Sequence, residues 1–267
     1  MIVVIVRCAA SRGAAVASSD ESDRTRVASR RTVLGWAATA VRLTVGVHVA
    51  HAPTAQALSS PAPPLPPEPP GARVDTAVDT KAPKNTVALT IDDGPHPTWT
   101  PKVLDLLAAN GVHATFSLIG RQARAYPGLV RRIVGAGHGV CNHSMTHPQP
   151  FAARSTAAIR QQIVEAQSAI SDAAGQEPRL FRAPGGDWTA AVLDLTAELG
   201  LTPVGWSVDP RDWTRPGIGT IESSLRRARA GDILLTHDGG GNRAQTVAAL
   251  KAVLPQLQAE GLRFRVL

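Results

Sequence analysis

Cysteine is nearly absent from this chain: Cys8 and Cys141 are the two in 267 residues. Two thiols cannot knit a disulfide scaffold, so a folded domain has to rest on a packed core. Aromatic residues amount to 4%, with five tryptophans, four phenylalanines and one tyrosine. Long unbroken apolar runs are missing as well. The stretch from Gly35 to Ala50 is modestly apolar, and Arg42 and His48 interrupt it, which argues against a stable membrane span. A 43% hydrophobic and 18% charged composition remains, ordinary for a globular protein and enough for one large domain or two small ones.

Charge is unbalanced, at a formal +7, which invites a nucleic-acid reading. Its distribution argues otherwise. Residues 1–57 hold seven of the 28 basic and three of the 21 acidic residues, leaving 21 against 18, or about +3, for the rest. No nucleic-acid motif is present. The clusters Arg131-Arg132 and Arg226-Arg227-Arg229 fall on expected helices, where a solvated face is the default. Ser29-Arg30-Arg31-Thr32-Val33-Leu34 resembles a twin-arginine export signal, and Ala55-Gln56-Ala57 has the A-x-A form of a cleavage site. Residues 1–57 are therefore expected to be a signal peptide, and the rest an exported protein outside the cell or at its wall. An uncleaved anchor or a chance arginine pair is the alternative. Residues 58–84 are proline-rich and read as a semi-rigid linker, with an SH3-type ligand as the other reading. Loss of the signal leaves Cys141 as the single thiol, expected to be buried packing and not a nucleophile.

From Asn85 onward short apolar runs alternate with alanine-rich amphipathic segments. Strands are expected at 86–91, 114–118, 139–142, 180–182, 203–207, 232–236 and 262–266. Helices are expected at 101–110, 126–136, 156–174, 190–199, 218–230 and 243–260, several of them ending at glycine. This alternation predicts an α/β domain over residues 85–267 with a mainly parallel sheet. Seven strands are too few for a complete eight-stranded barrel, so a distorted, incomplete (β/α)7 barrel is expected, with an open doubly wound sheet as the alternative. Both place chemistry at the carboxyl ends of strands.

The chemically capable residues gather there. Asp92 and Asp93 end the first strand in Asp-Asp-Gly-Pro, also a good turn sequence by itself. His143 and His147 follow the third; histidines four apart are expected to meet on one face of a helical turn. With Asp93 they make a 2-His-1-carboxylate set suited to catalytic Zn²⁺, although non-haem iron uses the same ligands. Arg182 ends the fourth strand and can hold a carboxylate, while Gly185 and Gly186 permit close backbone approach. Asp209, Asp212 and Trp213 follow the fifth; Leu235 and His237 end the sixth. Four tryptophans lie in or beside these segments: Trp99, Trp188, Trp206, assigned to the core, and Trp213, assigned to a groove wall where indoles stack on sugars. His96 could border the groove but is not taken as a ligand, and His113 and His138 are assigned structural roles.

Together these clusters resemble the polysaccharide deacetylase family, carbohydrate esterase family 4, whose catalytic unit is the NodB homology domain. The resemblance spans 85–267 and includes five motifs in order. Thr90-Ile91-Asp92-Asp93-Gly94 is similar to T-F-D-D-G, which makes Asp92 the general base and Asp93 a metal ligand. His143 to His147 matches H-S/T-x-x-H and supplies the other two ligands. Arg182-Ala183-Pro184-Gly185-Gly186 matches R-x-P-x-G, with Arg182 orienting the base and the Gly185 N–H binding an oxyanion. Asp209 to Trp213 matches D-x-x-D-W, with Asp212 tuning a catalytic histidine and Trp213 lining the groove. Leu235-Thr236-His237 matches L-x-H, with His237 as general acid. Isoleucine replaces phenylalanine at 91, and glycine stands at 185 where the family often has an aromatic, removing a groove-wall side chain.

The resemblance implies metal-dependent hydrolysis of acetyl groups, with Zn²⁺ or another divalent ion such as Co²⁺, on GlcNAc-type residues of chitin, chitooligosaccharide or peptidoglycan. O-Deacetylation of acetylated xylan would use the same residues. A wall-binding protein without catalysis is the alternative of another class. The expected partner is an N-acetylated polysaccharide or oligosaccharide, with no nucleic acid and a monomeric chain.

Overall fold

A computed structural model describes residues 74, 75, 77 and 83–267. The expected signal, 1–57, lies outside the described residues, as does most of the expected linker. Seven strands form one sheet: β1 (Thr86–Asp92), β2 (Thr115–Leu118), β3 (Gly139–Asn142), β4 (Leu180–Phe181), β5 (Thr202–Pro203), β6 (Ile233–His237) and β7 (Arg263–Arg265). Their order is β5-β4-β3-β2-β1-β6, with β7 beside the start of β1, and every strand pair is parallel. Beyond β5, Val208 pairs with Leu234 of β6, so the sheet curls back on itself as an incomplete barrel.

The helices α1 (Trp99–Ala109), α2 (Gly120–Ala125), α3 (Pro127–Gly135), α4 (Thr156–Ala174), α5 (Ala190–Glu198), α6 (Ile218–Leu225) and α7 (Ala244–Ala259) connect the strands. Local chemistry sets several of their ends. Ser155 caps α4 by accepting the Ala158 N–H, and Gly175 ends it at φ 71°. Thr189 caps α5 in the same way, and Pro127 opens α3. Among the described residues no helix is long and apolar enough to cross a membrane.

Alternation along the strands sorts core from chemistry. Val87, Leu89 and Ile91 of β1 join the main core with Phe116, Leu118, Leu234 and the inner faces of α1, α3 and α7. The opposite face of β1 carries Ala88, Thr90 and Asp92. Ala88 packs with Cys141, Val204 and Ile233 in a small cluster inside the curl. Cys141 is thus buried packing, and burial pushes its thiol up to about 12.

Four local expectations need correction. The fifth strand, expected at 203–207, is a two-residue element because its next backbone groups are divided among several partners. The Val204 and Gly205 carbonyls accept hydrogen bonds from Arg182, and the Ser207 N–H donates to Ile233 O. Helix α6 stops at Leu225, where Arg227 and Ala228 donate three residues back in a tightened turn. Helix α2 was absent from the expected elements, since it has six residues and starts at glycine. Finally, some positions of the segment read as linker lie on the sheet. The Asp75 N–H donates to Pro203 O (3.0 Å), the Gly205 N–H donates to Asp75 O (2.8 Å), and Ala77 pairs antiparallel with Asp232.

Phe116, fully buried at the centre of the main core, gives a test of the packing. Phe116→Ala is expected to lower the unfolding free energy by about 3–5 kcal/mol in urea titrations, the usual cost of truncating a buried ring.

Candidate active site

Asp92 and Arg182 meet inside the curl, fully enclosed. Arg182 Nη1 donates to Asp92 Oδ1 (2.8 Å) and to Thr90 Oγ1 (2.8 Å). Its Nε donates to Val204 O (3.3 Å), and Nη2 donates to Gly205 O (2.6 Å). A guanidinium this deep is tolerable because its hydrogen-bonding groups and its charge are both met. Burial alone would raise the Asp92 carboxyl, but the positive charge of Arg182, joined by His143 and His237, outweighs it and holds the group below the ordinary carboxylate value. Asp92 is therefore an anionic carboxylate held in a fixed direction.

Asp93 turns the other way. Its backbone sits at φ 74°, which sends the second carboxylate toward the third strand end. Its Oδ1 is buried and has no hydrogen-bond partner, and it lies 3.6 Å from His143 Nε2 and 3.4 Å from His147 Nε2. Atoms bound at about 2.0–2.2 Å in a tetrahedral shell lie about 3.4 Å apart, so the three residues fit a shared ion. Among the described residues they form the one group of this kind. The His143 Nδ1–H donates to Arg182 O (2.7 Å), which fixes the tautomer and leaves the Nε2 lone pair facing Asp93. The pair is not on a helical turn, contrary to expectation. Residues 143–147 are irregular, with Ser144 at φ 63° and His147 at φ 55°, and the His147 N–H donates to Ser144 Oγ (3.0 Å).

Across the cleft, His237 ends β6 directly beside Asp92 in register. Its Nδ1–H donates to Asp212 Oδ1 (2.7 Å), and its backbone N–H donates to Asp212 Oδ2 (2.9 Å). Thr246 holds the same oxygen at 2.7 Å. Burial pulls the imidazole pKa down, but the hydrogen bond and charge of Asp212 more than reverse it and the net shift is upward. Asp212 therefore favours the protonated form of this ring over that of an ordinary histidine.

The cleft enclosing these groups has a volume of about 800 Å³. Gly185 (φ 68°) and Gly186 line it, as do Leu235, Asp209, Trp206 and Trp213. Trp213 is half exposed, as suits a groove wall. Asp209 is at the rim, its Oδ1 accepting the Arg211 N–H (2.7 Å). Trp206, assigned to the core from sequence, also lines the cleft, beneath the Arg182 guanidinium. His96 is not a lining residue; its Nδ1 accepts the Thr98 N–H (3.1 Å). His138 is buried and accepts the Ala114 N–H, its pKa lowered to about 4 by burial and by the charge of His113. Three residues near the site escaped the sequence reading: Thr246, Arg243 and Asp238. Asp238 directly follows His237, is fully buried, accepts from Thr100 Oγ1 (2.5 Å), and has its carboxyl pushed up to about 7 by burial. Adjacency to His237 was the available signal.

A curled parallel sheet carrying an Asp-His-His set, a held carboxylate and a held imidazole at its carboxyl edge has the layout of a barrel hydrolase. Residues 79–204 match the profile described as polysaccharide deacetylase. A chitooligosaccharide deacetylase from Sinorhizobium fredii is 46% identical over 194 residues, covering 68% of this chain and 90% of that protein. The structure is also similar to a peptidoglycan N-acetylglucosamine deacetylase crystallised with a benzamide compound (35% identity, TM-score 0.67, covering 72% and 89% of the two chains). A CE4 family pseudoenzyme from Bacillus anthracis has the same fold (30% identity, TM-score 0.63, covering 68% and 63%). The chain belongs to the polysaccharide deacetylase family, carbohydrate esterase family 4.

Two measurements probe the site directly. Asp93→Ala is expected to weaken divalent-metal binding in calorimetry by more than the ~10–100-fold typical of groups one shell further out. Asp238 supplies a pH signature. Its folded-state pKa lies above the ordinary carboxylate value, so its contribution to stability is complete below about pH 4 and is lost as pH rises through about 7. Asp238→Asn, which cannot ionise, is expected to flatten that decline, worth up to ~1.4 kcal/mol per pH unit, in melts between pH 4 and 8.

Proposed function

We propose that this protein hydrolyses the N-acetyl group of GlcNAc-type residues in chitooligosaccharide or peptidoglycan. The supporting observation is the convergence in one cleft of the Asp93-His143-His147 set, a carboxylate held anionic and an imidazole whose pKa Asp212 raises. The named activities of its relatives point the same way. A divalent ion, Zn²⁺ by the chemistry of the donor set or Co²⁺ in its place, would be held by Asp93, His143 and His147, polarise the acetyl carbonyl and lower the pKa of water toward about 7.

The chain's own residues supply the proton transfers. Asp92, oriented by Arg182, takes the proton of the attacking water. The Gly185 N–H, at the cleft wall, stabilises negative charge developing on the carbonyl oxygen, a type of donor worth roughly 10²–10³ in rate. His237, its protonated form favoured by Asp212, delivers a proton to the departing nitrogen so that a neutral amine leaves. Trp213 offers an indole face to a sugar ring. Export by the twin-arginine route, supported by residues 29–34 and 55–57, is part of the same proposal and would bring the enzyme to wall or extracellular glycans.

O-Deacetylation of acetylated xylan draws on the same groups, and at Gly185, where an aromatic is often found, the Gln149 side chain takes up the adjoining wall. A glycan-binding role without catalysis is the reading of another class. Acetate release from chitooligosaccharide, peptidoglycan and acetylxylan, with and without chelator, separates the three. N-Acetyl substrates are expected to be turned over only with metal present; acetate from acetylxylan alone, or binding without release, would overturn the proposal.

Two variants test the roles. Asp92→Asn and His237→Ala are each expected to bind metal while losing about 10²–10⁴ in kcat. Because Asp212 raises the His237 pKa, activity should fall as pH rises through that raised value. Asp212→Asn is expected to shift the alkaline limb of the rate profile to lower pH, measured by acetate release across a pH series.

A further inference from the structure

Two arginines are buried among the described residues, and they differ in one respect. Arg182 has a carboxylate partner and uses Nε, Nη1 and Nη2. Arg243 is 3% exposed, and none of the carboxylates among the described residues lies within ion-pair distance of it. Its Nε donates to Gly239 O (2.6 Å) and its Nη1 to Trp213 O (3.3 Å). Nη2 has no protein partner, yet it is not among the sealed, unsatisfied polar atoms, and Arg243 forms part of the cleft wall. A buried cation without a counter-ion is costly, and Nη2, which opens on the cleft, is the donor left to meet water or a ligand.

Access to Nη2 is from the cleft, which both Arg243 and Gly240 line. Gly240 stands at φ 70°, and a methyl on its Cα would sit 2.7 Å from Asp93 Oδ2 and 3.2 Å from Arg243 Nη2. Glycine at 240 thus lets the backbone pass closely between the guanidinium and the Asp-His-His set, with no room there for a side chain. Asp93 is committed to that set and is not an ion-pair partner of Arg243. A guanidinium with Nη2 free favours a carboxylate over a hydroxyl, because charge adds to the hydrogen bond.

We propose that Arg243 anchors a carboxylate subsite in the cleft, and that its occupant is an acidic substituent carried on the glycan next to the reacting acetamido group. This rests on the N-deacetylase reading above and narrows it to chains whose neighbouring sugar carries a free carboxylate, such as peptide-stripped peptidoglycan strands, over neutral chitin. Released acetate offers the same chemistry from a second source.

The test compares two oligosaccharides of equal length, a neutral chitooligosaccharide and one bearing a lactyl ether carboxylate on the sugar beside the N-acetylglucosamine. Arg243→Met, which keeps the length of the stem, is expected to lower kcat/KM for the acidic chain by ~10- to 100-fold and for the neutral chain by less than ~3-fold. Arg243→Lys should recover part of the loss. Calorimetric binding of the two chains after chemical de-N-acetylation, which needs no turnover, should show the same selectivity. Equal losses on both chains, or none on either, would overturn the subsite. Acetate inhibition relieved by Arg243→Met, with the two chains still treated alike, would overturn the glycan assignment and give the site to released product. Failure of the wild-type protein to deacetylate either chain would refute the proposed function, while the calorimetry would still decide the subsite.

Discussion

The buried ion pair between Arg182 and Asp92 is the constraint around which the rest of the site is arranged. A guanidinium taken this far from water is stable only if its charge and its donors are all met. Asp92 meets the charge; Thr90, Val204 and Gly205 take the remaining hydrogen bonds. The consequences spread outward. Because the Val204 and Gly205 carbonyls are used by a side chain, β5 ends after two residues and Trp206 turns into the cleft. Because Arg182 O accepts the His143 Nδ1–H, the same residue that holds one carboxylate anionic also presents an imidazole lone pair to the other.

The division of labour within β1 shows how an ordinary strand can do this. One face, Val87, Leu89 and Ile91, builds the core shared with the helices. The other grades from Ala88 at the bottom of the curl, through Thr90, to Asp92 at the top. Cys141 then His143, on and just after β3, and Ile233, Leu235 then His237, on β6, repeat the gradation. Parallel register brings these upper positions to one level: Asp92 pairs with His237 on one side and with Ser117 on the other. The apolar lower layer fixes the strands; the upper layer inherits that rigidity and spends it on orientation.

Much of this was legible in the sequence. Strand ends at Asp92, Asn142 and His237 could be read from short apolar runs, and chemically capable residues follow them in order. Helix ends with strong local signals, such as Ser155 and Gly175 around α4, could be placed closely. Elements whose backbone is shared among distant partners could not. The fifth strand is short because of Arg182 and Asp75, neither of which is near it in sequence. The His143–His147 spacing was visible, but its helical explanation was not the real one: two residues with positive φ bring the rings together. Arg243 and Asp238 carried no motif, and burial is what makes each of them notable.

The sequence by itself determined the alternation of elements, the identity of the groups able to bind metal and move protons, and their order along the chain, because side-chain chemistry and hydrophobic period are local properties. Tertiary structure alone decided charge states and directions. Whether Asp92 is an anion, whether His237 holds a proton, and which nitrogen of His143 faces Asp93 all depend on burial and on partners 25 to 90 residues away. Electrostatic energies inside a protein depend on distance and dielectric, and folding is what sets both.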